Sequence, residues 1–186
     1  MKLKKCNAVL GLLTIILLLV HAGFEMYAFI RFIYSPVVTK VLGSCILVAL
    51  LCHVITGMSI MMFSNDGTEI GKYSGLNRDT IIQRASAIGI LVFLFGHLNA
   101  FSIMNSHIGG AFSLILALVF HGLFFGCAFL HIGTSLSKAL ITLGVLESLD
   151  TKKKMDRVVR IILAIAFIAI MVVISKTFIM LWSAPQ

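Results

Sequence analysis

The chain has 186 residues, of which 60% are apolar and only 12% are charged, and its mean hydropathy is +1.08. A soluble domain carries about twice that share of charged residues, and a disordered chain has the opposite composition, so both classes are excluded. The formal net charge of +8 does not indicate nucleic-acid binding, because the basic residues lie in short clusters between long apolar runs. This pattern is typical of an integral membrane protein in a lipid bilayer.

Five apolar stretches are long enough to cross a hydrocarbon core, which takes about 20 residues of helix. The predicted helices cover residues 7–33, 37–63, 80–104, 111–146 and 158–181. No internal repeat separates them, so we expect one all-α domain over residues 1–186, built as a bundle of five transmembrane helices. The two longest predicted connections are Ser64–Asp79, with its Asn-Asp-Gly and Tyr-Ser-Gly turn signals, and Glu147–Asp156, with the run Lys152-Lys153-Lys154.

The four cysteines show no paired spacing, and most lie inside apolar runs. Neither a disulfide framework nor a zinc motif is indicated, and we expect the thiols to behave as small buried hydrophobes.

Basic residues predict the orientation of the helices, because cytoplasmic loops carry an excess of Lys and Arg. Most of them fall on one side: Lys2, Lys4, Lys5, Lys72, Arg78, Arg84, Lys152, Lys153, Lys154, Arg157 and Arg160. The other side has only Arg31, Lys40 and Lys176. The N-terminus is therefore expected in the cytoplasm and the C-terminus outside.

Five of the six histidines lie within predicted spans, and the sixth, His107, lies in a predicted outer loop. The five are His21, His53, His97, His121 and His131. One intramembrane histidine often serves as a hydrogen-bonded packing residue, but ionisable groups in lipid are costly and tend to mark function. Two imidazoles from facing helices can hold a haem inside a bundle.

Depth along the helices predicts how the histidines pair. At about 1.5 Å per residue, His21 and His97 fall at one level nearer the outside, and His53 and His131 fall roughly 12 Å deeper. We therefore expect His21 and His97 to bind the iron of an outer haem, and His53 and His131 that of an inner haem. His121 lies too near the outer end of its helix to match His53 and is expected to be a packing residue.

Glycines near the proposed ligands are compatible with haem binding. Gly57 follows His53 by one turn, and Gly89 and Gly96 precede His97, so a flat macrocycle could approach the backbone there. Because glycines also serve ordinary helix packing, both explanations stay open.

Several segments resemble one family. Ile82-Gln83-Arg84-Ala85-Ser86-Ala87-Ile88-Gly89, followed by Phe93-Leu94-Phe95-Gly96-His97-Leu98, resembles the Gln-Arg motif and following His of succinate dehydrogenase/fumarate reductase cytochrome b subunits of the single-polypeptide, five-helix, dihaem type. Leu51–Gly57 is similar to its second-helix His-x-x-x-Gly, His131–Gly144 to its fourth-helix pattern, and Leu17–His21 to its first-helix ligand position. Gly133-Thr134-Ser135 departs from the usual Asn-Gly pair, and no acidic residue matches the one that some members carry in the first outer loop.

The resemblance implies a membrane-anchor subunit of a succinate:quinone oxidoreductase in a prokaryotic cytoplasmic membrane. It implies two haem b groups and a membrane quinone, with menaquinone favoured over other quinones. It also implies a flavoprotein and an iron–sulfur protein docked on the cytoplasmic side. The succinate/fumarate chemistry would belong to those partners, because this chain has neither a nucleotide-binding glycine loop nor a cluster-binding cysteine set. The chain itself would pass electrons between the iron–sulfur protein and the quinone.

Three charged residues are candidates for supporting roles. Glu25 lies one turn beyond His21 on the same helix face and could accept a proton from a quinol, or it could simply pair with another polar group. Lys138, on the face of His131, and Arg84 could pair with haem propionates. Snorkelling of these two cations to the cytoplasmic interface is an equally good interpretation.

Two other functions fit the composition. One is the b-type cytochrome subunit of another respiratory complex, such as a formate dehydrogenase or hydrogenase. The other is a small haem-free transporter in which intramembrane histidines relay protons, although the sequence shows no inverted repeat, broken helix or paired acids.

Overall fold

A computed structural model of the protein describes residues 2–33, 35–63, 77–105 and 111–183. The turn signals predicted for residues 64–76 and the loop histidine His107 lie outside the described residues. Within the described ranges, all regular secondary structure is helical.

Five long helices account for that structure. They are α1 (Lys2–Arg31), α2 (Pro36–Phe63), α3 (Arg78–Asn105), α4 (Ala111–Leu143) and α5 (Leu149–Ser183). Each contains a segment long and apolar enough to cross a membrane. The number, order and apolar character of the predicted helices are thereby confirmed.

The boundary between α1 and α2 follows from local backbone chemistry. Phe32 adopts a left-handed conformation with φ of 54°, and the Ile33 N–H donates to the Ala28 carbonyl over 3.1 Å, which closes the last turn of α1. Pro36 then opens α2, at the position where proline needs no hydrogen-bond donor and its fixed φ suits the helix.

The fourth helix ends three residues earlier than predicted. Gly144 takes the left-handed conformation with φ of +77°, and the Val145 N–H donates to the Leu140 carbonyl over 2.9 Å. This arrangement caps α4 at Leu143, because only glycine adopts such a φ without steric cost.

The fifth helix begins at Leu149, well before the predicted residue 158, so the interpretation of Glu147–Asp156 as a connection was largely wrong. The run Lys152-Lys153-Lys154 lies in the first turns of α5. Lys152 Nζ lies 2.6 Å from Asp156 Oδ2, one turn further along. Such pairs support a helix in a polar sequence where apolar periodicity gives no signal.

The chain divides into two compact units. Unit 1 consists of Met1–Ile81 and Thr134–Val158, and unit 2 of Ile82–Gly133 and Val159–Gln186. Helices α1 and α2 belong to unit 1, whereas α3, α4 and α5 are divided between the units. The single domain expected from the sequence stays a prediction.

In unit 1, α1 and α2 pack against each other. The buried residues of both helices are alanines: Ala8, Ala28 and Ala49, which are 3–6% exposed. Small side chains of this kind allow helix backbones to approach closely without a large apolar core.

In unit 2, glycines line the contacts that α4 makes on two sides. On α3, a Cβ at Gly89 would lie 2.4 Å from Cys127 Sγ, and one at Gly96 would lie 2.3 Å from Phe120. On α4 itself, Gly122 faces Met171 and Gly126 faces Phe167, both from α5. The glycines near His97 therefore serve helix packing, the second of the two explanations.

The cysteines are not the buried residues expected from the sequence. Cys6, Cys45 and Cys52 are exposed on the helix surfaces, and Cys127 is half-buried. Apolar runs do not show which face of a helix meets protein, because a membrane helix is apolar all round.

Candidate functional site

His53 on α2 is held against the backbone of α1. Its Nδ1 lies 3.1 Å from the carbonyl oxygen of Asn7. The Asn7 side chain adds a second link, since Thr56 Oγ1 donates to Asn7 Oδ1 over 2.8 Å. A Cβ at Gly11 would lie 3.1 Å from His53 Cε1, so a residue without a side chain leaves space for the ring. Asn7 and Gly11 thus shape the surroundings of His53.

His131 on α4 makes the same type of contact in unit 2. Its Nδ1 lies 3.0 Å from the carbonyl oxygen of Gln83 on α3. Arg84, one of the two cations considered as propionate partners, is the next residue along α3 and is half-buried. Both predicted inner-haem ligands are therefore anchored by a backbone carbonyl of another helix.

This anchoring selects one form of the imidazole. A carbonyl oxygen only accepts hydrogen bonds, so His53 and His131 carry a proton on Nδ1 in these contacts, and in the neutral imidazole the lone pair is then on Nε2. Histidines that ligate metals through Nε2 almost always donate Nδ1–H in this way, which fixes the ring and strengthens the ligand. The donor chemistry of the two residues fits a haem iron.

His21 lies in a polar cluster with Glu25 and Thr39. Its Nδ1 is buried without a hydrogen-bond partner among the described residues, and Glu25 Oε1 lies 3.9 Å away, too far for a hydrogen bond. The same carboxylate oxygen accepts a hydrogen bond from Thr39 Oγ1 over 2.6 Å. Glu25 is therefore paired with another polar group, as expected if its role is only structural. Its position beside His21 is also the one that a proton acceptor needs.

His97 on α3 lies in an aromatic cluster with residues of α4. Its ring stacks on Phe124 at a centroid distance of 4.3 Å and an interplanar angle of 11°. The edge of His121 approaches it at 4.9 Å, and Phe125 lies 5.5 Å away. These rings fix the plane of the His97 imidazole.

His121 has the surroundings of a packing residue. It is 4% exposed, and its Nδ1 lies 3.1 Å from the carbonyl oxygen of Ala117 in its own helix. Phe178 of α5, which is fully buried, meets its ring edge to face at 5.3 Å. This agrees with the role expected for His121, and the choice of His97 as the ligand stays a prediction.

Lys138, the second candidate for a propionate, donates from Nζ to Thr80 Oγ1 over 3.1 Å. Both residues belong to unit 1. This bond is compatible with either a propionate partner or snorkelling.

Each unit contains one member of each predicted haem pair. Unit 1 holds His21 and His53, and unit 2 holds His97 and His131. Among the described residues, no group of three or more His, Cys, Asp or Glu side chains could hold a metal ion. A haem needs only two axial imidazoles, since the macrocycle supplies its other ligands.

Sequence reasoning missed the residues that surround the histidines. Asn7, Gly11 and Thr39 contact the predicted ligands or Glu25, yet none was singled out. Asn7 offered a signal, because an amide in an apolar span needs a hydrogen-bond partner. For Phe124 no signal was present, since nothing distinguishes it from neighbouring phenylalanines.

Comparison of the chain with protein-family models, with curated proteins and with solved structures finds no match in any of the three.

Proposed function

We propose that this protein is a dihaem cytochrome b that anchors a succinate:quinone oxidoreductase in a prokaryotic cytoplasmic membrane. In this proposal His53 and His131 bind the inner haem iron, and His21 and His97 bind the outer one. The haem groups supply one-electron transfer when bound.

One observation carries the proposal. Two intramembrane histidines on different helices, His53 and His131, both direct Nδ1 to a backbone carbonyl of another helix, at 3.1 and 3.0 Å. A packing histidine can satisfy itself within its own helix, as His121 does with Ala117. Both kinds of contact place the proton on Nδ1, but anchoring from a second helix also ties the direction of Nε2 to the neighbouring helix, which is what an axial ligand requires.

The assignment of the reaction rests on the motifs around Gln83-Arg84 and His97. They resemble the family of succinate dehydrogenase and fumarate reductase anchors. The proposal accordingly includes a flavoprotein and an iron–sulfur protein on the cytoplasmic side, where the N-terminus is placed by the positive-inside rule. Menaquinone is the proposed electron partner in the membrane.

Glu25 is proposed as the residue that exchanges protons with the quinone. Its carboxylate lies beside His21 and is held by the Thr39 hydroxyl, so it is oriented before a substrate arrives. A carboxylate in such a position can act as a general base when a quinol is oxidised.

The visible spectrum of the purified chain tests the haem assignment. Protein from haem-replete cells should contain two b haems per chain, and the oxidised form should give low-spin spectra typical of two histidine ligands. A colourless preparation would contradict the proposal.

Electron donors distinguish the complexes to which the chain could belong. In the purified, quinone-free complex that contains the chain, succinate should reduce its haem bands, whereas formate and hydrogen should not. Reduction by formate or hydrogen alone would instead favour the cytochrome subunit of another respiratory complex.

A proton-relaying transporter without haem is the second candidate, favoured by the cluster of His21, Glu25 and Thr39. Three proton-exchanging groups close together are what such a relay uses. This function predicts a colourless protein whose proton flux in liposomes depends on Glu25.

A further inference from the structure

We propose that the face of α1 formed by Asn7 and Gly11 sets the orientation of the His53 imidazole and thereby tunes the electronic properties of the inner haem. The inference rests on the proposed function, because it takes His53 to be a haem ligand. Asn7 and Gly11 are positioning residues, and neither would touch the iron.

The first step is the position of the two residues on α1. Asn7 and Gly11 are four residues apart, so they lie one above the other on one helix face. In an α-helix the carbonyl of Asn7 points toward residue 11, whose N–H it accepts. The His53 ring that reaches this carbonyl lies against Gly11.

The second step is the space that Gly11 leaves. His53 Nδ1 reaches the Asn7 carbonyl at 3.1 Å. A Cβ at position 11 would lie 3.1 Å from Cε1 and 3.4 Å from Nδ1 of that ring. The first distance is shorter than an ordinary carbon–carbon contact of 3.5–4.0 Å. A side chain at position 11 therefore requires the imidazole to shift by a few tenths of an ångström, which we expect to weaken its contact with the carbonyl.

The third step is what the Nδ1 contact does to the ligand. Donation of Nδ1–H to a carbonyl raises the basicity of Nε2, and loss of such a partner typically costs 10–100-fold in metal affinity or activity. A more basic imidazole stabilises the oxidised iron. Weakening the contact should therefore shift the inner-haem midpoint potential to more positive values.

Replacement of Gly11 by Ala tests the inference, with Gly23→Ala as the matched control. Both glycines lie on α1, but a Cβ at Gly23 would meet nothing within 4 Å. Purified, haem-loaded protein would be examined by redox titration and by electron paramagnetic resonance, whose g values respond to the angle of the imidazole plane. Gly11→Ala should move one of the two haem components, in both potential and g value, and leave the other unchanged. Gly23→Ala should move neither.

A second variant makes the Asn7 carbonyl a weaker hydrogen-bond acceptor without adding any side-chain atom. Replacing Ala8 by lactic acid turns the Asn7 carbonyl into that of an ester, which accepts hydrogen bonds less strongly. This variant should shift the same component in the same direction as Gly11→Ala. The same replacement at Ala28 controls for the loss of one backbone N–H and should have no such effect.

The outcomes separate the two proposals. A colourless wild-type chain would overturn the proposed function and this inference together. Wild-type protein with two haems, but with unchanged potentials and g values in both the Gly11→Ala and Ala8 ester variants, would overturn the inference alone. If Gly23→Ala shifted the potential and g values as much as Gly11→Ala, the inference would also be overturned. The effect would then come from replacing any glycine in α1.

Discussion

Thr39 Oγ1 on α2 donates a hydrogen bond to Glu25 Oε1 on α1 over 2.6 Å, and so ties the two helices at the carboxylate next to His21. A second tie joins the same helices through Asn7 and its contacts with His53 and Thr56. The first contact lies beside His21 and the second includes His53, both of which the sequence predicts as ligands. The polar contacts between α1 and α2 therefore lie where the proposed cofactor sites need fixed side chains.

Glu25→Gln should suppress quinone-linked turnover by about 100-fold, since loss of a general base typically costs that much. The amide keeps the size of the side chain and can still accept the Thr39 hydrogen bond. Both haems and succinate oxidation with a soluble dye should therefore be retained. The rates would be measured in membranes that contain the complete complex.

Thr39→Val separates the positioning of Glu25 from its charge. This variant removes the hydrogen bond but leaves the carboxylate, so quinone-linked turnover should fall by less than in Glu25→Gln. Thr14→Val is the matched control, because the Thr14 hydroxyl donates to the Leu10 carbonyl of its own helix.

If Glu25→Gln turns over quinone at nearly the wild-type rate, Glu25 is structural and the proton route lies elsewhere.

His131→Ala should abolish one redox component and leave the other intact, because it removes an imidazole anchored at Gln83. His121→Ala should keep both components and instead lower the free energy of unfolding by on the order of 2 kcal/mol, the cost of a cavity at a buried position. Redox titration and denaturation in detergent would measure the two effects. The reverse result would identify His121 as the fourth-helix ligand.

Gly89→Ala should destabilise the protein by about 1–3 kcal/mol, because the new Cβ would collide with Cys127 Sγ. Removing that sulfur in the double variant Gly89→Ala/Cys127→Ala should recover most of the loss. Gly43→Ala is the control, since a Cβ there meets nothing within 4 Å and alanine favours a helix by about 1 kcal/mol over glycine. Additive effects of Gly89→Ala and Cys127→Ala would show that the two positions do not interact.

The orientation of the chain can be tested at Cys6, which is exposed near the N-terminus. In a variant with the other three cysteines replaced by alanine, a membrane-impermeant thiol reagent should label Cys6 in inverted vesicles. Right-side-out vesicles should not react until they are permeabilised. The opposite pattern would place the N-terminus outside and move the proposed docking side of the partner proteins.

Sequence alone was sufficient for the number and order of the helices, because transmembrane segments carry a strong signal of continuous hydropathy. It failed at the start of α5, where polar residues such as Lys152 and Asp156 form a helix that hydropathy cannot detect. Helix capping at Phe32 was equally invisible, since a non-glycine residue with positive φ has no sequence signature.

The candidate site shows the same division. Rarity of ionisable groups in an apolar chain singled out five histidines, and depth along the helices then predicted His21, His53, His97 and His131 as ligands, which stays a prediction. Asn7 and Gln83 contact the imidazoles through their backbone carbonyls. Every residue has such a carbonyl, so the residue type gives no signal. Which carbonyl meets which imidazole depends on helix packing, and one sequence does not contain that information in readable form.

The glycine contacts have a consequence for how the chain assembles as it leaves the ribosome. Gly11 of α1 receives His53 of α2, Gly89 and Gly96 of α3 receive Cys127 and Phe120 of α4, and Gly122 and Gly126 of α4 receive residues of α5. In each of these pairs the groove is synthesised before the side chain that fills it. Gly57, which faces Asn7, is the exception. A helix synthesised later would therefore meet the glycines of its predecessor already in place, an order of assembly that favours docking of the helices one after another.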